Sequence, residues 1–160
     1  MNILSYEARY QDQVTELITT IQQQEFGIPI TLNDQPDLKT IPQSYQATGG
    51  NFWVALDQEK VVGTIALIRI KHDNGVLRKM FVKPAYRGKA QVGQKLLATL
   101  ENFARENGIK TLYLGTITTF AAALKFYQKH GFVAKTLADF PADFPQVGVD
   151  NVFLMKKLTD

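Results

Sequence analysis

The sequence contains no cysteine. That excludes disulfide bonds, a thiolate nucleophile and every cysteine-based metal site. Its only histidines are His72 and His130, too few for a histidine metal cluster, so no metal is expected. No run of about 18 apolar residues occurs, so no membrane-spanning helix is expected. The opening residues, MNILSYEARYQDQ, lack a basic segment followed by an apolar one, so no signal peptide is expected. These absences point to a cytoplasmic protein without a membrane partner. Internal repeats and low-complexity tracts are also missing. Acids are scarce in one place: from Arg69 to Lys95 there are eight bases and a single acid, Asp73.

What is present suits one globular domain over residues 1–160, with 45% hydrophobic and 21% charged residues and a net charge of +3. The basic stretch reads either as a solvated face or as a site for a phosphate-bearing ligand or nucleic acid. Aromatic residues do not alternate with these cations as a base-stacking platform requires, which ranks nucleic acid lower.

Along the chain, Ile3–Tyr6 reads as a short strand. Val14, Leu17, Ile18 and Ile21 recur at helical spacing and predict an amphipathic helix over about residues 8 to 24, ended by Gly27 and Pro29. Residues 31–50 are polar and interrupted by proline. They read as a long loop with a short helix near Leu38 to Tyr45, either a wall of a substrate site or a surface insertion. Strands are expected at Asn51–Leu56, Val61–Ile70 and Val76–Val82, joined by turns at 57–60 and 72–75, the second carrying an Asn-Gly hairpin signal. A helix follows with Val92, Leu96, Leu97, Leu100, Phe103 and Ala104 on one side. Glu101 and Arg105 pair on its exposed side, and Gly108 stands at its C-terminus. Lys110–Gly115 reads as a strand. A helix capped by Thr118 or Thr119 runs to His130, followed by a strand at Phe132–Thr136, a loop over 137–150 and a last strand at Asn151–Lys157. The crossover helix between Val76–Val82 and Lys110–Gly115 makes those two strands parallel. The fold class is therefore mixed α/β: a central, mostly antiparallel sheet with one parallel pair and helices on both faces.

The most informative stretch is VLRKMFVKPAYRGKAQVGQKLL, residues 76–97. A strand with a basic pair, Arg78-Lys79, in its middle is stopped by Pro84. Arg87-Gly88-Lys89 then leads through Ala90-Gln91-Val92-Gly93 into a helix. Free N–H groups and the positive end of the helix dipole make such a start an anion site. The alternative is a plain strand-to-helix connection with a turn glycine and solubilising cations.

Three segments together resemble the GNAT superfamily of acyl-CoA-dependent N-acetyltransferases. LRKMFVKPAYRGK is similar to that family's fourth strand and the start of its pyrophosphate loop. VGQKLLATLENFARENGIKTLYLGT is similar to the next helix and fifth strand, and AALKFYQKHGF to the late helix. The resemblance covers nearly the whole chain and implies acetyl-CoA as cosubstrate. It implies that backbone groups of Met80, Phe81 and Val82 hold the pantetheine arm and the thioester. The loop Arg87, Gly88, Lys89, Ala90, Gln91, Val92, Gly93 and Gln94 would hold the pyrophosphate. Tyr127 matches the tyrosine that protonates the departing thiolate; without the resemblance it reads as a core residue.

The chain departs from the family pattern in three places. Gln91 stands for the first loop glycine, with one extra residue before Gln91-Val92-Gly93. Phe120 stands where an asparagine is frequent, and Val76 where many relatives carry a glutamate base. Glu25, Asp34, Asp37, Tyr45, His72 and Asp73 are the remaining candidates to take the amine's proton, each read more readily as a surface polar residue or cap. The expected function is direct transfer of an acetyl group to a primary amine, small molecule or peptide, by a chain that could act as a homodimer. The alternatives are a catalytically silent CoA-binding module of the same fold and a basic nucleic-acid-binding surface.

Overall fold

Val61 to Leu67 is almost uninterrupted apolar sequence, and every one of its residues is buried. It forms the middle of β3 (Lys60–Ile70) in a seven-stranded sheet, as observed in a computed structural model that describes residues 1–88 and 91–158. The other strands are β1 (Asn2–Ser5), β2 (Asn51–Asp57), β4 (Asn74–Val82), β5 (Thr111–Thr116), β6 (Val133–Lys135) and β7 (Val152–Lys157). Their order across the sheet is β1-β2-β3-β4-β5-β7-β6. All pairings are antiparallel except β4 with β5, which are parallel as the crossover helix requires.

Strand alternation divides the core into two layers. Trp53 and Ala55 of β2 face α2 (Val92–Glu106), which buries Leu96, Leu97, Leu100 and Ala104 against the sheet. Phe52, Val54 and Leu56 face α1 (Gln11–Thr20) and the Leu38, Ile41 and Tyr45 side chains of the long loop. That loop is folded into short turns, and Tyr45 is fully buried. A third cluster joins Val76 to Phe140 and Phe144 of the loop before β7.

Several expectations need correction. The helix expected over 8–24 is α1 extended by a 3₁₀ turn at Ala8–Tyr10 and a wider π turn at Ile21–Glu25. Asn74-Gly75 lies inside β4, paired with Ile70 and Arg69, while His72 and Asp73 take the left-handed turn conformation. Gly75 is needed for space: a Cβ there would meet Leu67 Cδ1 at 2.8 Å. Glu101 is buried, because it accepts from Lys156 at 2.8 Å as well as pairing with Arg105. Neither Thr118 nor Thr119 caps α3 (Ala121–Lys129), whose N-cap position is Phe120.

β4 carries one more residue than β3 between Arg78 and Phe81, since Ala66 faces Arg78 and Thr64 faces Phe81. This is a β-bulge, with Lys79 at φ +55°. Thr64 is fully buried and its hydroxyl donates to the Lys79 carbonyl at 2.7 Å. Replacing Thr64 by the near-isosteric valine strands that carbonyl, so Thr64→Val should cost about 1–3 kcal/mol in urea unfolding. A smaller loss would mean that the bulge does not depend on this bond.

Candidate functional site

β4 pairs with β5 only over Asn74–Val76. Beyond that point the two strands part, although β4 remains paired with β3 as far as Val82 and β5 with β7 as far as Thr116. The opening between them leads into a cavity of about 760 Å³. Its walls are β4 from Val76 to Val82, the end of β5, the first turn of α2, α3, the turn around Phe26 and the loop before β7.

The bulge aims one backbone group into this opening. The Lys79 carbonyl points toward β3, where Thr64 holds it. In a trans peptide the next N–H points the opposite way, and the described chain has no cis bond. The Met80 N–H is therefore directed between β4 and β5. At the far end of the opening α2 begins on Gln91, at φ +53°. No side chain caps this helix end and its first turn holds no acid, which leaves the end of the dipole available to an anion. Gly93 allows the close approach. A Cβ there would stand 3.2 Å from the Met80 methyl and 3.5 Å from the Phe126 ring.

Met80, Phe81, Val82, Arg87, Gly88, Gln91, Val92, Gly93, Gln94 and Tyr127, all singled out by the sequence, line this one cavity. Lys89 and Ala90 lie outside the described residues. Arg87 is less free than expected. Its guanidinium holds Glu25 at 2.5 and 2.8 Å, and its Nε donates to the Val82 carbonyl at 2.9 Å. Tyr127 is 5% exposed, and its hydroxyl makes no hydrogen bond among the described residues. Burial pushes the phenol above its ordinary range, so it keeps its proton at neutral pH.

The candidate bases are scattered. Glu25 is taken by Arg87. Asp34 caps its own turn by accepting from Thr31. His72 and Asp73 sit at the β3–β4 turn, away from the cavity. Tyr45 is core and donates to Asp37 at 2.5 Å. Asp37 does line the cavity, but lies 3.6 Å from Lys79. Phe120 stacks edge-on against Phe26 and Phe81, at 4.8 and 6.4 Å between centroids, and makes that wall apolar. Phe144 borders the cavity, while Phe140 packs on Val76 beneath it.

Sequence reasoning missed Lys79 and Asp150 as site residues. Lys79 Nζ donates to Gln35 Oε1 at 2.6 Å, and Gln35 exchanges hydrogen bonds with Gln22 at 3.0 and 2.9 Å. Burial pulls the Lys79 ammonium down to about 8, opposed by Asp37 and reinforced by Arg78. The sequence signal was two successive cations inside a strand, where alternation allows only one to face a given side. The bulge lets both face the same side.

Comparison with known proteins places this architecture. The sequence profile described as "Acetyltransferase (GNAT) domain" matches residues 48–134, more than half of the chain. The IAA acetyltransferase of Azospirillum brasilense is 32% identical over 131 residues, covering 81% of this chain and 82% of that protein. The N-acetylaspartate synthetase of Xenopus tropicalis is 40% identical over 101 residues, but the match spans only 36% of its length. A crystal structure of an acetyltransferase of the GNAT family from Staphylococcus aureus Mu50 superposes with a TM-score of 0.96 at 40% identity, over 99% of both chains.

The Lys79 environment predicts an unusual pH dependence. Its folded pKa, about 8, lies below the ordinary 10.5. Below pH 8 both states are protonated and the full cost of burying the charge is present. Between these values the unfolded chain binds more protons, so stability rises with pH, by about 1.4 kcal/mol per unit at the steepest. Urea unfolding of wild type and Lys79→Met between pH 7.5 and 9.5 should show the wild type gaining on the variant. A flat difference would place the ammonium in water.

Proposed function

The chain belongs to the GNAT acetyltransferase family, and on that footing we propose that it transfers an acetyl group from acetyl-CoA to a primary amine by direct attack in a ternary complex. The observation that carries this reading is the opening between β4 and β5, with the uncapped start of α2 at one end and Tyr127 in its wall. The residues present fit the cosubstrate. The helix start and Gly93 offer N–H groups and room to a pyrophosphate. The parted edges of β4 and β5 offer unpaired backbone groups to an extended amide-bearing arm.

Bound acetyl-CoA supplies the activated acyl carbon. The Met80 N–H, held in place by the Thr64 contact behind it, donates to the oxygen on which negative charge develops. Phe81 and Val82 continue the same edge. Tyr127 holds a proton for the leaving thiolate. Arg87 acts by tying the turn before Phe26 to the end of β4, which fixes one side of the cavity mouth. With no cysteine in the chain, no acyl-cysteine stage is available. The acceptor is a small molecule or peptide amine. The reaction is assigned to the cytoplasm on the composition, and no helix among the described residues is long and apolar enough to cross a membrane.

Acetyl-CoA at about 100 times Kd should add roughly 2.7 kcal/mol of stability, raising Tm by about 5–10 °C. No shift with any acyl-CoA would end this reading, and binding without turnover over a broad amine panel would replace it with the silent binding module. Tyr127→Phe should lower kcat by about 10²–10⁴-fold while leaving acetyl-CoA affinity nearly unchanged. An unaltered kcat would make Tyr127 a core residue only.

A further inference from the structure

Among the charged groups that border the cavity, Arg87 is held by Glu25, Asp34 caps its own turn and Lys129 stands exposed on α3. Lys79 and Asp37 are satisfied by each other, by Gln35 and by Tyr45. Arg78 and Asp150 are not. Arg78 is half-buried and lines the cavity, and it makes no hydrogen bond or ion pair among the described residues. Asp150 also lines the cavity and has no side-chain hydrogen bond there.

These two groups face each other across the opening, on the side of the sheet away from α2. On β4, Leu77, Met80 and Val82 pack toward α2, whereas Val76 and Phe81 pack the other way. Arg78, two residues after Val76 and ahead of the bulge, joins the second set by alternation. On β5, Leu112 and Leu114 face α2, so Gly115 shares the opposite side with Tyr113. The Asp150 carboxylate occupies the space a side chain at Gly115 would take. A Cβ there would lie 2.5 Å from Oδ2. Asp150 is fixed from both directions, because its own N–H bonds to the Val147 carbonyl at 3.0 Å and the next N–H, of Asn151, to the Thr116 carbonyl at 2.9 Å. Arg78 and Asp150 feel each other electrostatically, yet no nitrogen–oxygen contact within 4.0 Å joins them. Two opposite charges held apart in a half-buried cleft keep unfilled hydrogen-bonding capacity, which a ligand with the complementary pair of charges would complete.

We infer that the acceptor is an amine that also carries a carboxylate, as a free amino acid does, with Arg78 taking the carboxylate and Asp150 taking the ammonium and then its proton. This rests on the acetyltransferase reading and names its substrate class. The ammonium gives one proton to the Asp150 carboxylate. The neutral nitrogen forms the C–N bond as the C–S bond breaks. The thiolate takes a proton from Tyr127, and the nitrogen's second proton leaves to Tyr127 or water. Burial raises the Asp150 carboxyl above its ordinary range, with Arg78 and Lys79 opposing, which favours proton acceptance. Lys79, Asp37 and the apolar Phe26, Phe81 and Phe120 form the surrounding walls.

The test pairs free amino acids with their amides and decarboxylated amines, following CoA release, and measures calorimetric affinity for the same compounds on protein saturated with CoA. The acids should be preferred by about 10- to 100-fold, a charge-assisted bond's worth. Arg78→Gln should erase that preference by weakening only the acids in both readouts. Asp150→Asn should lower kcat by about 10²-fold or more with acetyl-CoA binding intact. It should cost far less with aminooxyacetate, whose nitrogen is already neutral near pH 7. Gly115→Ala, which displaces the carboxylate without removing it, should act in the same direction as Asp150→Asn. Equal use of acids and amides, an Arg78→Gln loss common to both, or an unchanged kcat in Asp150→Asn would overturn the inference. Each of these outcomes leaves the transferase reading standing if acetyl-CoA binds and any amine is acetylated. Absence of acyl-CoA binding would remove both.

Discussion

The structure depends on β4 leaving β5 while staying bound to β3. A sheet interior normally satisfies its backbone groups through neighbouring strands. Here β4 and β5 share only three residue pairs, and the edges beyond them are left for something else to satisfy. The bulge at Lys79 adds a residue on the β4 side, and a bulged strand bends and twists more strongly than its partner. Thr64 stabilises that distortion from the buried side. The same peptide that is held on the β3 side presents its N–H on the open side.

Around this opening the rest of the fold has complementary duties. α2 contributes its start, the one part of a helix with unpaired N–H groups, and a glycine that lets it come close. α3 contributes Tyr127, in contact with Phe126 and Phe132 so that its ring direction is set by packing. The long loop and the turn after α1 close the other face. Their polar residues are mutually bonded: Gln22 to Gln35, Gln35 to Lys79, Lys79 to Asp37 and Asp37 to Tyr45. Satisfied buried networks of this kind rigidify the wall they form. The positive charge of the basic stretch is thereby distributed among different tasks. Arg87 braces and Lys79 anchors, and Arg78 remains available in the cavity.

The basic stretch also shows what local reading misses. Taken as a run, its cations suggest one anion site. In space they separate onto two sides of the sheet, because the helix start lies on the α2 side while Arg78 and Lys79 face α1 and the loop before β7. A one-residue insertion in β4 turns Lys79 to the side that Arg78 already faces, and nothing in hydrophobic periodicity announces it beyond two adjacent cations in a strand.

The sequence by itself determined the order of elements, the parallel pair and the placement of helices on both faces of the sheet. Those follow from periodicities of two and 3.6, turn residues and crossover chirality, which are local or nearly so. Through resemblance it also singled out Tyr127 and the loop glycines, which line the cavity. Only the tertiary structure decided which polar groups are spent and which are free. Glu25 is consumed by Arg87, 62 positions away in sequence, and Gln35 by Lys79, 44 positions away. Asp150, in the loop before β7, reaches the cavity because Gly115 of β5 leaves it room. Charge pairing and close approach depend on distances that chain spacing does not encode.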